Sequence, residues 1–373
     1  MMRRSALVSI LVAVICSLVS GAWAKEYIYG TWVGPKNTVL VNGIEPYLAE
    51  VEKATGGSLK WKVLAGGQLF GGRATLAGIR DKLADAGGPV IPAFTRKELR
   101  AANVVYDLVN ASVSPVVMTG AVAETYHLDC PQCKADFRKN NALFLANYAT
   151  TRFNLLCRKP IKSLADVKGR KMRVVGALGR FIKQVGGVPV GGSPAKAVQA
   201  MQRGNIDCIV GPISWLQSFG MWDIAKHVFD AQLAIQPTPS SFVFNRDSWN
   251  NLSREERTAI LQHAPRLVAR TTIDGYMAED KAVRQAAAKK GITIVKAGDE
   301  VRKALYKHKG KELQVIPAIA EKEGVKDPDA IVKAHLKNIA KWEKIHAQTG
   351  DDVDKFAKAL WDEVYSKLDP DNM

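Results

Sequence analysis

The feature that most constrains this chain is the alternation of short strand-like segments with amphipathic helix-like segments. The residues EYIYGTWV predict a strand, and the amphipathic helical segment that follows ends at Gly56 and Gly57. A second strand (SLKWKVLAGGQL), a second helix and a short third strand complete a β-α-β-α-β unit. This order predicts a parallel sheet covered by helices, with ligands bound where the strands end.

The same order recurs further along the chain. Strand KGRKMRVVG is followed by a helix, strand VPVGG, helix SPAKAVQAMQRG and strand NIDCIVG. The segment SFVFNRDSW predicts a strand that returns to the first unit. With 373 residues, the chain is long enough for two domains of ordinary size. The sequence therefore predicts a two-domain α/β protein.

Helices dominate the remainder of the chain. The sequence SREE from Ser253 is a capping-box signature and predicts the start of a long helix. In the last segment, DDVDKFAKALWDEVYSKL, apolar residues fall on one helix face. We expect this tail to pack on a domain rather than form a separate module.

The N-terminus has the pattern of a secretory signal peptide. Arg3 and Arg4 precede an apolar run, and Ala22 to Ala24 fit a small-x-small cleavage site. We therefore expect residues 1–24 to be removed after Ala24 and the protein to be exported to the periplasm. Lipidation at Cys16 and an uncleaved membrane anchor are the alternatives that the sequence leaves open.

The formal net charge is +17 at neutral pH. The lysines are spread along the chain with only short clusters such as KALYKHKGK. We therefore expect a basic solvated surface and no nucleic-acid partner. Attraction to anionic solutes is consistent with this charge.

Cys130 and Cys133 form a CPQC motif. In an oxidising compartment this motif predicts a structural disulfide, with redox catalysis and metal binding as alternatives. Whether Cys157 and Cys208 pair with each other is left open.

No motif for nucleophilic, phosphate-transfer or metal-dependent catalysis is visible, and the glycine-rich GGQLFGG lacks the Lys-Ser/Thr of a phosphate loop. Asp207 stands without a base partner. We therefore expect no catalytic activity, no cofactor and no metal, and we interpret the chain as a two-lobed binding protein that closes on a solute by hinge motion.

Three segments carry a resemblance to a known family: PIKSLADVKGRKMRVVGA, GGVPV and AVQAMQRGNIDCIVGP. They resemble the substrate-binding proteins of tripartite ATP-independent periplasmic (TRAP) transporters, of the dicarboxylate-binding DctP-like type. The segment ATGGSLKWKVLAGGQLFGGRATLAGIRDKLAD is similar to the same family.

The resemblance implies a two-domain periplasmic-binding-protein fold with crossing strands and a long domain-spanning helix. Lobe I is expected to comprise residues 25–149 and 240–280. Lobe II is expected to comprise residues 150–239 and 281–373, including the C-terminal helices. The ligand is expected in the cleft between the lobes.

The resemblance also implies ligand-binding residues. Arg173 matches the family's arginine that forms a salt bridge with the solute's carboxylate, and its guanidinium fork suits that partner. The alternative is an internal ion pair, for example with Asp207. Arg152 is the nearest match to a second family arginine, with Arg158 as an alternative. Gln68, in the glycine-rich loop, is a further candidate.

The chain departs from the family pattern at several cleft positions. Trp32 and Gly211 replace residues that are often polar, and Trp215 follows as a candidate contact. We therefore expect an organic acid held by one carboxylate, with a more apolar remainder than a C4-dicarboxylate.

The function implied is that of a periplasmic receptor, expected to be a monomer, that delivers its solute to a membrane permease. An exported thiol-disulfide redox protein and a solute receptor for a sensor kinase are the alternatives.

Overall fold

The computed structural model describes residues 25–237 and 239–373, so the expected signal peptide lies outside the described residues. The strands, numbered in chain order, are β1 (Lys25–Thr31), β2 (Leu59–Leu64), β3 (Ala86–Gly88), β4 (Ala142–Ala146), β5 (Asn154–Cys157), β6 (Lys171–Arg173), β7 (Val188–Val190), β8 (Cys208–Gly211), β9 (His227–Asp230), β10 (Phe242–Asn245) and β11 (Thr293–Lys296).

The α-helices are α1 (Glu45–Ala54), α2 (Thr75–Arg80), α3 (Arg100–Asp107), α4 (Pro115–Glu124), α5 (Pro131–Lys139), α6 (Gly176–Gln184), α7 (Pro194–Gln202), α8 (Trp215–Ser218), α9 (Arg246–Asn250), α10 (Arg254–Arg270), α11 (Ala278–Ala286), α12 (Asp299–Lys322), α13 (Pro328–Thr349) and α14 (Val353–Glu363). π-helical turns occupy Val39–Ile44, Thr125–Asp129 and Thr271–Met277.

Each lobe is built on one sheet. The first sheet has the strand order β2-β1-β3-β10-β4 and the second has the order β11-β9-β5-β8-β6-β7. Strand β1 pairs in parallel with β2 and β3, and β6 pairs in parallel with β7 and β8. These are the β-α-β units that the sequence predicts.

Two extended segments cross between the lobes, one from β4 to β5 and the other from β9 to β10. They run side by side, since the Thr150 N–H donates to the Gln236 carbonyl at 3.1 Å and the Phe153 N–H donates to the Ala234 carbonyl at 2.8 Å. The strands that they enter, β5 and β10, are antiparallel to both of their neighbours. The expected two-lobed α/β fold with crossing strands is confirmed.

A continuous helical run from α10 through α11 spans both lobes, as expected. Ser253 and Glu256 form the predicted capping box at its start. There α10 packs on α1 of the first lobe, and the Tyr47 hydroxyl donates to the Ile260 carbonyl at 3.1 Å. At its other end, Arg284 pairs with Asp230 of β9 at 3.0 Å.

Helix α12 is a second connection between the lobes, and it is not specifically predicted by the sequence. It begins three residues after β11 of the second sheet. Its later residues Ile316 and Ala320 are buried in the core of the first lobe. The helix packs on α3, α6 and α13.

The C-terminal helices pack on the first lobe, and this corrects their expected place in lobe II. Helix α13 lies against α4, where Gly120 leaves room for the fully buried ring of Trp342. The Trp342 indole donates to Glu124 at 2.8 Å, and the Tyr365 hydroxyl donates to the Leu145 carbonyl of β4 at 2.9 Å. Only β11 of this region joins the second sheet. An apolar helix face predicts packing but does not select the partner.

Two disulfides link the four cysteines of the described residues. Cys130 and Cys133 are bonded at the start of α5, as expected, and each is 1% exposed. Cys157 and Cys208, whose pairing the sequence leaves open, face each other across β5 and β8 and are also bonded. Within the described ranges, no helix has the length and apolarity needed to cross a bilayer.

Candidate functional site

Arg173 is the last residue of β6, and its side chain is only 4% exposed. Its Nε donates to the carbonyl of Gly192 at 2.8 Å, in the loop after β7. The guanidinium carbon lies 5.5 Å from the ring centroid of Trp215. Burial lowers the pKa of Arg173 to about 10, which leaves the group charged at neutral pH.

Arg173 has no acidic partner among the described residues. Asp207, the alternative partner considered from the sequence, instead lies 3.8 Å from Arg170 and accepts the backbone N–H of Lys171 at 2.8 Å. The terminal nitrogens Nη1 and Nη2 of Arg173 make no hydrogen bond within the part of the chain that the structure describes. A buried cation in this state is costly unless an anion from outside the chain joins it.

The guanidinium lies in a narrow cavity of about 40 Å³ between the lobes. Residues of both lobes line this cavity. Arg173 is the only charged side chain among the described residues that line it. The lining residues are Trp32, Val33, Ile91, Phe94, Tyr106, Tyr148, Thr150, Phe153, Arg173, Val175, Pro194, Trp215, Phe219, Gln236, Pro239 and Tyr276.

Half of the residues that line the cavity are aromatic. Trp32 of the first lobe and Phe219 of the second are stacked across the cleft, with centroids 6.5 Å apart and planes at 16°. The Trp32 indole is held by a hydrogen bond of 2.8 Å to the Pro89 carbonyl. Tyr148 and Tyr276 stack at 5.1 Å and 15°. Such a wall suits a flat apolar group.

The other polar groups of the wall are neutral. The Gln236 side chain donates to the Tyr106 carbonyl at 3.3 Å, and the Thr150 hydroxyl accepts the Gln236 N–H at 3.1 Å. Burial raises the pKa of Tyr276 to about 12 and also raises the pKa of Tyr106. These phenols are therefore uncharged at neutral pH, and they provide hydrogen bonding without a second charge.

Three of the sequence-predicted residues come together here: Arg173, Trp32 and Trp215. Gly211, also predicted as a contact, does not line the cavity. A Cβ at Gly211 would lie 2.2 Å from the Trp215 ring, so glycine at the end of β8 is what allows Trp215 to lie against the strand. Its effect on the site is therefore indirect.

Arg152 and Gln68 are not at this cavity, contrary to expectation. Phe153 points into it, and the preceding residue, Arg152, lies at a separate surface cavity with Asp230 and Gln232, because neighbouring side chains of an extended segment point to opposite sides. Gln68 is exposed in its loop. Gly72 of the same loop lies against Trp32, since a Cβ there would be 3.2 Å from the Trp32 ring.

Several lining residues are not identified from the sequence. Tyr148, Thr150, Phe153 and Gln236 belong to the crossing segments, and Tyr276 belongs to the π-helical turn of the long helix. Tyr276 could have been found only from its π-helical turn, since such turns often mark functional sites. A single sequence does not reveal a π-helical turn.

A wider cavity of about 230 Å³ lies elsewhere, beneath the C-terminal segment. Two of its cations are already bonded: Lys134 donates to the His127 carbonyl at 3.0 Å and Arg138 to the Asn372 carbonyl at 3.1 Å. The narrower cavity is the better candidate because its cation, Arg173, is buried without an acidic partner, whereas Lys134 and Arg138 are exposed. No cluster of His, Cys, Asp and Glu suited to a metal ion occurs in residues 25–237 and 239–373.

Solved structures share this fold. A TRAP periplasmic solute-binding protein of Bordetella bronchiseptica, with bound (R)- and (S)-mandelate, is 22% identical over 85% of this chain and 99% of its own, with a TM-score of 0.71. A TRAP solute-binding protein of Rhodoferax ferrireducens, in complex with benzoate, is 21% identical over 86% and 99%, with a TM-score of 0.74. An extracytoplasmic solute receptor of Bordetella pertussis that binds pyroglutamic acid is 19% identical over 84% and 99%, with a TM-score of 0.69.

The family described as bacterial extracellular solute-binding protein, family 7 (DctP), matches residues 30–315. The match covers all of the strands except most of β1, both crossing segments and the lining of the cavity. The chain therefore belongs to family 7 of the bacterial extracellular solute-binding proteins.

Proposed function

We propose that this protein is the periplasmic receptor of a TRAP-type transporter, that it captures an organic acid through the acid's carboxylate, and that it delivers the acid to a membrane permease. The observation that carries the proposal is Arg173, a buried guanidinium without an acidic partner in the described chain, at the cleft between two lobes.

The geometry suits a carboxylate. The hydrogen bond from Nε to Gly192 fixes the guanidinium plane and leaves Nη1 and Nη2 available. Two parallel N–H···O bonds from these nitrogens to one carboxylate match the bidentate arrangement that arginine favours. Closure of the lobes removes water from both charges, so the loss of either partner is strongly unfavourable.

The wall of the cavity indicates the rest of the solute. A second carboxylate would be buried against aromatic rings with no second cation among the described lining residues. A monocarboxylate with a flat, apolar body would instead contact Trp32, Phe219 and Trp215. The relatives that bind mandelate, benzoate and pyroglutamate support a small monocarboxylate as the solute.

The location and partners follow from the family and the sequence. The family is extracellular, and the expected cleavage after Ala24 would release a periplasmic, monomeric receptor. We propose that it has no catalytic activity and no cofactor. The CPQC disulfide is fully buried beside α5, an arrangement that favours a structural role over redox exchange.

The solute can be identified directly. Mass spectrometry of small molecules released by denaturing freshly purified protein should find an organic acid with one carboxylate and an aromatic or otherwise apolar body. Release of a sugar, a metal chelate or a dicarboxylate at one equivalent would contradict the proposal. Permease genes beside this gene would separate transport from signalling to a sensor kinase.

A further inference from the structure

A cluster of charges outside the solute cavity joins the two lobes. Its centre is Arg180, on α6 of the second lobe. Both terminal nitrogens of Arg180 donate to Asp107 Oδ2 at 3.2 Å, and its Nε donates to Glu312 at 3.0 Å. Asp107 ends α3 of the first lobe, and Glu312 lies on α12. The Asp107 and Glu312 side chains are only 2% and 9% exposed.

Asp107 also holds the start of α6 itself. Its Oδ1 accepts the backbone N–H of Ala177 at 3.1 Å, in the first turn of that helix. A carboxylate is favourable at this end because the first N–H groups of a helix are unpaired and carry partial positive charge. Gly176, with φ of +62°, permits the approach, since a Cβ there would lie 2.7 Å from Asp107 Oδ1.

The contact between Asp107 and the start of α6 lies close to the solute cavity in both lobes. Helix α6 begins three residues after Arg173, so Asp107 holds the segment that continues from the anchoring strand. On the first lobe, Tyr106 precedes Asp107 and lines the solute cavity. A shift of α6 away from Asp107 would therefore move Arg173 relative to Tyr106.

We propose that Asp107 and Arg180 form an interlobe latch that favours the closed cleft and positions Arg173 opposite the first-lobe wall. Neither residue touches the solute cavity, so both are positioning residues. When the lobes part, the contact between Arg180 and Asp107 opens while Asp107 keeps Arg96 of its own lobe, 3.5 Å away, so the latch contributes only in the closed form. Its effect on solute affinity rests on the proposed function, whereas its effect on lobe separation does not.

The latch is tested by distances between spin labels on the full mature chain. Lys62 on β2 and Lys196 on α7 are exposed and lie on opposite lobes, so Lys62→Cys and Lys196→Cys provide the labelling sites. Both disulfides of the described chain are buried, which leaves these thiols to react. Distance distributions are recorded after removal of bound solute, in the wild-type background, in Asp107→Asn and in Arg180→Gln.

A matched control is Arg170→Gln, since Arg170 pairs with Asp207 inside the second lobe. We expect a short distance between the labels in the unsubstituted protein and in Arg170→Gln. In Asp107→Asn and Arg180→Gln we expect a longer distance to replace it. Arg180→Lys, which keeps the charge, should restore part of the short population. If Asp107→Asn does not fold, the Arg180 variants decide.

Unchanged distances in Arg180→Gln, or a long distance alone in the unsubstituted protein, would overturn the latch. Asp107→Asn and Arg180→Gln should also bind benzoate about tenfold more weakly than the unsubstituted protein. The apparent affinity for a ligand falls with the fraction of protein in the binding-competent form. Failure of the unsubstituted protein to bind any carboxylate would refute the proposed function, and the distances would still decide the latch.

Discussion

The Arg173 guanidinium carbon lies 5.5 Å from the ring centroid of Trp215, and Trp215 in turn occupies the space that Gly211 leaves at the end of β8. The strand end, the ring and the cation thus form one unit, in which the indole face stabilises a charge that no acidic side chain of the described residues neutralises.

Removal of the cation should abolish carboxylate binding. We expect Arg173→Ala to weaken binding of the co-purified acid at least 100-fold, because a buried carboxylate would then lack its partner, a loss of about 3 kcal/mol or more. Titration calorimetry measures the affinity, and thermal unfolding should show no loss of stability. Arg152→Ala, outside the cavity, is the matched control. Equal affinities of Arg173→Ala and the unsubstituted protein would remove Arg173 from the site.

Removal of the indole should weaken binding without abolishing it. Trp215→Leu loses the cation–π contact, which contributes about 1–2 kcal/mol in a desolvated site, so the dissociation constant should rise roughly 5- to 30-fold. Trp215→Phe keeps an aromatic face and should retain most of the affinity. A Leu variant that binds as tightly as the Phe variant would show that the ring does not support Arg173.

Acid should destabilise the first lobe through two buried histidines. Burial lowers the pKa of His127 to about 4 and that of His335 to about 3, from 6.5 in the unfolded chain. The unfolded state therefore takes up protons first as the pH falls, and the stability that these groups contribute is lost from about pH 6.5 downward. Between pH 7.5 and pH 5 the loss is about 2 kcal/mol for each histidine.

Urea unfolding at the two pH values measures this loss. His127→Gln removes one of the two titrating imidazoles and should reduce the pH dependence. Equal stability of the unsubstituted protein at pH 7.5 and pH 5 would contradict the prediction.

The two disulfides should differ in their contribution to stability. Cys157–Cys208 spans 51 residues and Cys130–Cys133 spans 3. On the chain-entropy account, their loss costs about 4 and about 1.6 kcal/mol respectively. Paired substitution of each disulfide by alanine, followed by urea unfolding, tests the order. A larger loss from the CPQC pair would show that local packing at α5 outweighs loop closure.

Much of the fold follows from the sequence because strand and helix periodicities are local. The parallel units, the returning strand β10 and the capping box at Ser253 are all found where they are predicted. The packing partner of the C-terminal helices, in contrast, depends on residues far away in the sequence. Trp342 packs against Gly120 of α4, which lies far earlier in the chain. The apolar pattern of α13 does not indicate that partner.

The site divides in the same way. Arg173 could be identified because it ends a strand at the edge where ligands bind and matches the family's arginine. Trp32 could be identified because it stands where the family often has a polar residue. The side to which Arg152 points, and the entry of Phe153 and Gln236 into the cavity, depend on the twist of the crossing segments. The latch residue Asp107 gave no signal, since a lone aspartate at the end of a helix resembles any other.

We expect the one buried arginine of the aromatic cavity to select an apolar monocarboxylate. Titration calorimetry of the unsubstituted, solute-free protein with benzoate and with succinate tests it most directly. Benzoate should bind at least tenfold more tightly than succinate, because the second carboxylate of succinate would be buried without a cation. Succinate that binds as tightly as benzoate, or more tightly, would contradict it.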